Sequence, residues 1–211
     1  MNEEIRLAIG VPSSGFVRAG FAHSLANMMG HLASVGIQSR PGATLLIQLN
    51  MVEGSVIHMA REEIVTRAFE QNSTHLLFLD DDMIFAADIL DNLMAHKKPI
   101  IISNYLLKTE DPKFLTVDKD MREIRTSKKS TGIQLAQSGG FGVSLFEIDV
   151  FKQTPQPWFL PLYYPTQKKY TTEDVPFFQR TQKAGFDTYV DHDASKKIAH
   201  IGNKVWEWNR L

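Results

Sequence analysis

The sequence predicts a single-domain α/β protein in which a mostly parallel β-sheet is flanked by helices. Short apolar runs alternate with amphipathic stretches as far as Ser103, an order typical of parallel strands joined by right-handed helical crossovers. The run His75–Leu79 shows no polar alternation, as expected of a strand buried on both faces. A length of 211 residues is sufficient for one domain with its own core, so we predict one domain over residues 1–211.

The first half of the chain contains predicted elements with clear ends. Pro12 stops the first strand, Gly36 ends the first helix, and Ser55 can cap the second helix. The second helix places apolar residues on one face at helical spacing. The predicted strands cover residues 5–11, 43–49, 75–79 and 99–103, and the predicted helices cover residues 17–35, 56–71 and 86–96.

The second half is less regular. Residues 104–135 lose the periodic apolar pattern, which predicts a long loop or β-excursion. A strand is expected over residues 142–148 and a helix over residues 171–184, where Thr171 and Asp174 have capping-box spacing. Short strands over residues 188–190 and 197–201 complete the predicted elements.

Composition excludes several classes of site. The chain has no cysteine, so disulfides, thiolate catalysis and cysteine-held metals are excluded, and any metal must be held by carboxylates or histidine. The net charge of −1 gives no general attraction to polyanions, although five basic residues crowd residues 119–129, where we expect a solvated loop. No apolar run reaches the ~18 residues of a membrane span, and the acidic start lacks a signal-peptide core. We therefore expect a soluble, cytoplasmic protein.

Three consecutive carboxylates, Asp80, Asp81 and Asp82, follow the strand at residues 75–79. Ligands of open α/β sheets gather at the carboxyl ends of strands. In extended geometry Asp80 and Asp82 would point the same way and offer hard oxygen ligands to Mn²⁺ or Mg²⁺. A solvated turn after a strand would use the same residues, so the triplet alone leaves both interpretations open.

Three further motifs carry candidate chemistry. Glu173 and Asp174 stand at a predicted helix start, where an acid suits the helix dipole but can also accept a proton from a hydroxyl. His200 lies among apolar residues, so it is either a core histidine or a nitrogen ligand that favours Mn²⁺. Gly139 and Gly140 allow close backbone approach to a ligand or simply a tight turn.

In this order, the motifs resemble the GT-A glycosyltransferases, notably small bacterial and phage members similar to family 2. The resemblance spans nearly the whole chain: an opening strand ending at Pro12, the helix with Ala60-Arg61, FLDDDM as a DxD motif, the SGGFG turn, TEDV and the late AHIG. It implies the GT-A fold, a Rossmann-like nucleotide-diphospho-sugar transferase architecture. Glu62 departs from the pattern, because many relatives carry asparagine after the Ala-Arg pair.

The resemblance also implies roles for particular residues. Asp82 and His200, with Asp80, would hold the metal, and Glu173 or Asp174 would act on the acceptor hydroxyl. The donor would be bound by a set that the resemblance places around the nucleotide and sugar: Pro12, Arg61, Asp80, Asp81, Gly139 and Gly140.

The sequence therefore predicts a metal-dependent, inverting glycosyltransferase that uses a nucleotide-diphosphate sugar, with a UDP-sugar as the default donor and Mn²⁺ or Mg²⁺ as cofactor. The acceptor is not encoded legibly, and a modified nucleic-acid base remains among the candidates. Two alternatives stay open. One is a haloacid-dehalogenase-like phosphatase, although Ile84 fails the last position of that motif. The other is a non-catalytic nucleotide-sugar-binding module.

Overall fold

Seven strands form the central sheet of the computed structural model, which describes residues 3–202 and 205–210. In chain order the elements are β1 (Glu4–Ser13), α1 (Ala19–Val35), β2 (Thr44–Glu53), α2 (Ile57–Glu70), β3 (His75–Leu79), β4 (Met83–Phe85), α3 (Ile89–Ala95), β5 (Ile100–Ser103), β6 (Ile133–Ala136), β7 (Val143–Glu147), α4 (Asp149–Gln153), β8 (Tyr163–Tyr164), β9 (Lys169–Tyr170), α5 (Asp174–Lys183), β10 (Thr188–Asp191), α6 (His192–Ser195), β11 (Ile198–Ile201) and β12 (Val205–Glu207), followed by a 3₁₀ turn, Trp208–Arg210.

The sheet has the strand order β2-β1-β3-β7-β5-β10-β6. β1, β2, β3, β5 and β10 run in one direction, whereas β7 and β6 are antiparallel to their neighbours. The predicted α/β class with a mostly parallel sheet is confirmed. The insertion of antiparallel β7 between β3 and β5 was not predicted, because a strand's own sequence does not encode which neighbour it will join.

Two apolar clusters cover the two faces of this sheet. Alternate residues of β3 serve opposite faces: Leu77 and Leu79 belong to the cluster under α1 and α3, whereas Leu76 and Phe78 belong to the cluster under α2 and α5. All four side chains are fully buried. A strand buried on both faces has no polar alternation, which explains why its bounds could be predicted to the residue.

A second, three-stranded sheet packs beside the first, with the order β12-β11-β4. The strand β4 follows the aspartate triplet and pairs antiparallel with β11, near the end of the chain. The sequence did not predict β4, since three residues are too few to show a period. This small sheet nevertheless decides the geometry of the candidate site.

The stretch from residue 104 to 135 is an irregular excursion, held by isolated bridges such as Leu106–Phe114 and ending in β6. Its basic residues are partly neutralised locally: Arg122 pairs with Asp118, and Arg125 pairs with Glu123. Across the described residues, no helix combines the length and apolar character that crossing a bilayer requires.

Candidate active site

The candidate site lies where the carboxyl ends of β1 and β3 meet. The chain moves from β1 to β2 on one side and returns to β3 on the other, so this edge is a topological switch point, where open α/β sheets bind ligands. Pro12 is buried at the end of β1. Burial raises the pKa of the adjacent Asp81, although a hydrogen bond from Ser13 opposes the shift. The residues that follow β3 therefore contact the end of β1.

The aspartate triplet forms a turn rather than an extended segment. The amide of Met83 donates to the carbonyl of Asp80 at 3.0 Å, a hydrogen bond that reverses the chain. The expectation that Asp80 and Asp82 point the same way is therefore wrong, because it assumed that the strand continues. Each of the two carboxylates instead contacts its own cationic partner.

Asp82 lies beside His200, as the prediction required. The pairing of β4 with β11 sets His200 opposite Met83, and the amide of Ile201 donates to the carbonyl of Asp82 at 2.7 Å. The side chains follow the backbone: His200 Nε2 is 3.4 Å from Asp82 Oδ1. Residues far apart in sequence thus meet because a short strand follows the triplet.

The contact between His200 and Asp82 requires either a second proton or a metal ion between the two side chains. His200 Nδ1 is 3.0 Å from the carbonyl oxygen of Leu106, which can only accept, so Nδ1 carries a proton. Nε2 and Asp82 Oδ1 would then present two lone pairs to each other unless a second proton or a metal ion lies between them. The ammonium of Lys108 contacts Asp82 Oδ2. Burial raises the pKa of Asp82, but the hydrogen bonds from His200 and Lys108 outweigh it and lower the pKa to about 2.

The donor set fits a divalent ion held partly by substrate. Histidine with a carbonyl on Nδ1 is oriented to ligate through Nε2, and the lowered pKa of Asp82 keeps it ionised, so both side chains could bind a divalent ion. Over residues 3–202 and 205–210, no three His, Asp or Glu side chains converge on one point, so Asp80 does not complete a three-ligand set with this pair. One or two protein ligands supplemented by phosphate oxygens is the usual arrangement for such ions.

Arg61 organises the other half of the site. Its guanidinium is fully buried, donates from Nη2 to Asp80 Oδ1 at 2.8 Å, and lies 3.3 Å from Glu173 Oε1 through Nε. Its carbon Cζ lies 4.6 Å from the ring centroid of Phe141, a cation–π arrangement. Burial lowers the pKa of Arg61, but the charges of Asp80 and Glu173 outweigh it and raise the pKa overall. Nη1 is buried without a hydrogen-bond partner among the described residues.

Replacing Arg61 with methionine should cost about 3–5 kcal/mol in the free energy of unfolding, because Asp80 and Glu173 would become poorly solvated, unpaired charges. Urea unfolding measures this. Arg67→Met on the same helix is the matched control: its pair with Glu63 is exposed and should contribute only about 0.3–0.5 kcal/mol. Equal losses of unfolding free energy in the two variants would show that Arg61 does not stabilise the charges of Asp80 and Glu173.

The neighbouring Glu62, which departs from the family pattern, has a structural contact of its own. Its carboxylate accepts a hydrogen bond from the amide of Phe159 at 2.8 Å. Phe159 stacks on Phe177 with centroids 5.0 Å apart, so Glu62 ties α2 to the aromatic core under α5. Glu62 therefore has a structural reason to stand at this position.

Glu173 and Asp174 make different contacts. Glu173 is engaged by Arg61, whereas Asp174 is buried at the first residue of α5 and accepts from the amide of Val175 at 2.9 Å and from the hydroxyl of Thr172, both at Oδ1. Burial raises the pKa of Asp174, against the hydrogen bond from Thr172. The capping box expected of Thr171 is not formed, since Thr171 pairs with Leu162 instead.

The two predicted glycines face protein side chains. A Cβ on Gly140 would lie 2.0 Å from the hydroxyl of Tyr105, and one on Gly139 would lie 2.2 Å from Ile102 Cδ1. The amide of Gly142 donates to the same Tyr105 hydroxyl at 3.2 Å. Close packing against Tyr105 and Ile102 accounts for the two glycines without a ligand, and donor contact by Gly139 and Gly140 stays a prediction.

Sequence reasoning missed Tyr105 and Lys108. Both belong to a hairpin-like arm, which we define as residues 105–115 and which is closed by the amide of Leu107 donating to the carbonyl of Lys113 at 2.9 Å. The Tyr105 ring packs edge-on against His200 with centroids 5.1 Å apart. The signal that could have found them is the location of the arm, since long irregular loops after a strand often carry function.

Comparison with known proteins supports the fold. No protein-family model and no curated protein matches the chain. Among solved structures, the chain is similar to A197 from STIV, with 18% identity, a TM-score of 0.59, and coverage of 98% of this chain and 96% of that one. At such identity the likeness shows a shared fold and leaves side-chain roles open.

A further similarity is to the catalytic domain of a Drosophila β1,4-galactosyltransferase 7. Its complex with xylobiose is 18% identical, with a TM-score of 0.48 over 94% of this chain and 71% of that one. A variant of that enzyme in complex with manganese, UDP-Gal and xylobiose is 16% identical, with a TM-score of 0.49 over the same shares. These two likenesses are too distant to assign an activity to this chain.

Proposed function

We propose that the chain is a metal-dependent glycosyltransferase that moves a sugar from a nucleotide-diphosphate donor to an acceptor hydroxyl with inversion. The observation that carries the proposal is the Asp82–His200 pair, with a histidine nitrogen, Nε2, and a carboxylate oxygen, Oδ1, 3.4 Å apart at the carboxyl edge of the sheet, close enough to bind one ion. With a second proton on Nε2 the two side chains would form an ordinary ion pair, and without it they would form a metal site; Mn²⁺-dependent ligand binding distinguishes the two.

Positive charge would bind the diphosphate of the sugar donor. Asp82 and His200 would hold Mn²⁺ or Mg²⁺, which when bound supplies Lewis-acid stabilisation of the charge on a departing diphosphate. Lys108 adds an ammonium at the same carboxylate and can contact phosphate oxygens once the donor is bound. Arg61 would contribute by holding Asp80 in place, since its own Nη1 is buried. Pro12, Asp80 and Asp81 would line the nucleotide side.

The acceptor side is built from Asp174. Its Oδ1 is held by Thr172 and the amide of Val175, which fixes the orientation of the carboxylate, and none of the described hydrogen bonds reaches Oδ2. A carboxylate whose pKa is raised by burial is a better proton acceptor than an exposed one. Asp174 would take the proton of the attacking hydroxyl, while Glu173 holds Arg61 in place. One base and one displacement correspond to inversion of the anomeric centre.

A thermal-shift screen tests the proposal directly. A UDP-sugar and UDP, taken as the default donor and product, should raise the melting temperature with Mn²⁺ present and much less without it, because ligands that bind only the native state stabilise it. Other nucleoside diphosphates identify the base. Slow hydrolysis of the sugar nucleotide separates an enzyme from a binding module. Release of phosphate from a generic phosphoester, with no response to any sugar nucleotide, would favour the phosphatase instead.

A further inference from the structure

Within the part of the chain that the structure describes, the outer edge of β2 is long and pairs with no other strand. β2 is the first strand in the sheet order, and all ten of its residues pair with β1 on the inner side. The opposite edge strand, β6, has only four residues. Short edge strands resist intermolecular pairing, whereas long regular ones are templates for another strand. The β2 edge is therefore the better template for pairing with a strand of another molecule.

The sequence of β2 lacks the features that protect exposed edges. Residues 44–52 contain no charged side chain and no proline, and the first charge is Glu53 at the strand's end. Three of its apolar side chains are exposed, with Leu46 at 49%, Leu49 at 45% and Met51 at 42%. Edge strands of proteins that remain apart normally carry lysine, proline or a bulge.

The hydrogen-bonding register of β2 shows which groups face outward. The amides of Thr44 and Gly54 donate to carbonyl groups of the β1 segment. The backbone N–H and C=O groups of the even-numbered residues of β2 therefore face β1. The N–H and C=O groups of Leu45, Ile47, Leu49 and Met51 therefore point to the open edge. Among the described residues, no hydrogen bond reaches these groups.

We propose that the β2 edge is a homodimer interface, in which β2 pairs antiparallel with β2 of a second copy and joins the two seven-stranded sheets into one. A partner strand must offer outward N–H and C=O groups at the same spacing, and an uncharged one leaves no charge unpaired against β2; β2 of a second copy does both. A two-fold axis makes the contact self-complementary and closed.

The position of the uncharged residues in β2 predicts the register of the proposed strand pair. An axis through Gln48 uses the whole uncharged stretch and pairs Leu45 with Met51 and Ile47 with Leu49, all apolar and on one face. Such cross-strand pairs each contribute to sheet association. The two Gln48 side chains meet at the axis as a non-hydrogen-bonded pair. Because a single strand pair is smaller than the ~800 Å² per partner of standard interfaces, the dimer should be reversible and its apparent mass should rise with concentration.

The absence of cysteine allows a sharp test. In the proposed register the Gln48 Cα atoms are about 4.5 Å apart, within reach of a disulfide. Gln48→Cys should therefore form an intermolecular disulfide under mild oxidation. Leu46→Cys, on the same face of the same strand, should not, since its two copies would be about 13 Å apart. Equal cross-linking of the two variants would overturn the register.

The unmodified chain is measured in parallel by sedimentation velocity. A mass that rises towards two chains with concentration is the expected result. Leu49→Lys should abolish the rise, whereas Leu135→Lys, at an exposed leucine of the opposite edge strand β6, should leave it unchanged. A chain that stays monomeric at every concentration, with no disulfide from Gln48→Cys, would overturn the proposal. Neither result depends on whether the chain transfers a sugar.

Discussion

Asp174→Asn should lower the rate of sugar transfer by about 10²–10⁴ and leave donor binding unchanged, because the amide keeps the shape of the carboxylate but cannot accept the proton of the attacking hydroxyl. The hydrogen bonds that hold Asp174 Oδ1 come from the hydroxyl of Thr172 and the amide of Val175, and an amide oxygen can accept both. Transfer is measured with saturating sugar nucleotide, and donor binding is measured by calorimetry.

The pH dependence gives a second readout. Burial places the pKa of Asp174 above that of an ordinary aspartate. The parent rate should therefore fall as the pH decreases through this raised value, since protonation removes the base. The Asn variant should lack this acidic limb.

Asp149→Asn is the matched control for Asp174. Asp149 is also the first residue of a helix, but it is exposed and pairs with Lys152. Its substitution should leave the rate and the pH profile unchanged. If Asp174→Asn transfers sugar at nearly the parent rate, Glu173 or another group is the base.

Asp82→Ala should abolish Mn²⁺-dependent binding of a nucleoside diphosphate while preserving the fold. Loss of groups that merely orient a metal ligand costs about 10–100-fold in affinity, and loss of a ligand itself should exceed that. Isothermal calorimetry with and without Mn²⁺ measures the effect, and circular dichroism checks the fold.

Asp88→Ala is the control for Asp82, because Asp88 pairs with Lys197 much as Asp82 pairs with Lys108. Asp88→Ala removes a contact with a lysine but should leave Mn²⁺-dependent binding of the nucleoside diphosphate unchanged. Unchanged calorimetric binding in Asp82→Ala would remove the metal assignment, and the proposed donor chemistry with it.

The sequence predicted the contact between Asp82 and His200 but not the direction of Asp80. The strand β3 was predicted with its exact bounds, and the meeting of Asp82 with His200 was inferred from the order of motifs along the chain. The direction of Asp80 was predicted wrongly, because the triplet turns instead of extending. Tyr105 and Lys108 were missed, since the arm at residues 105–115 has no period from which a role can be inferred.

Hydrophobic periodicity is a local property, so the amino-acid sequence by itself determined the α/β class, the buried strand and the absence of any thiol chemistry. Pairing between distant segments depends on contacts that no local pattern records. Only the tertiary structure decided that antiparallel β7 separates β3 from β5, that β4 places Asp82 beside His200, and that Asp80 pairs with Arg61 instead of joining Asp82 and His200. Burial of a charge demands a partner, and which partner is within reach is a matter of three-dimensional packing.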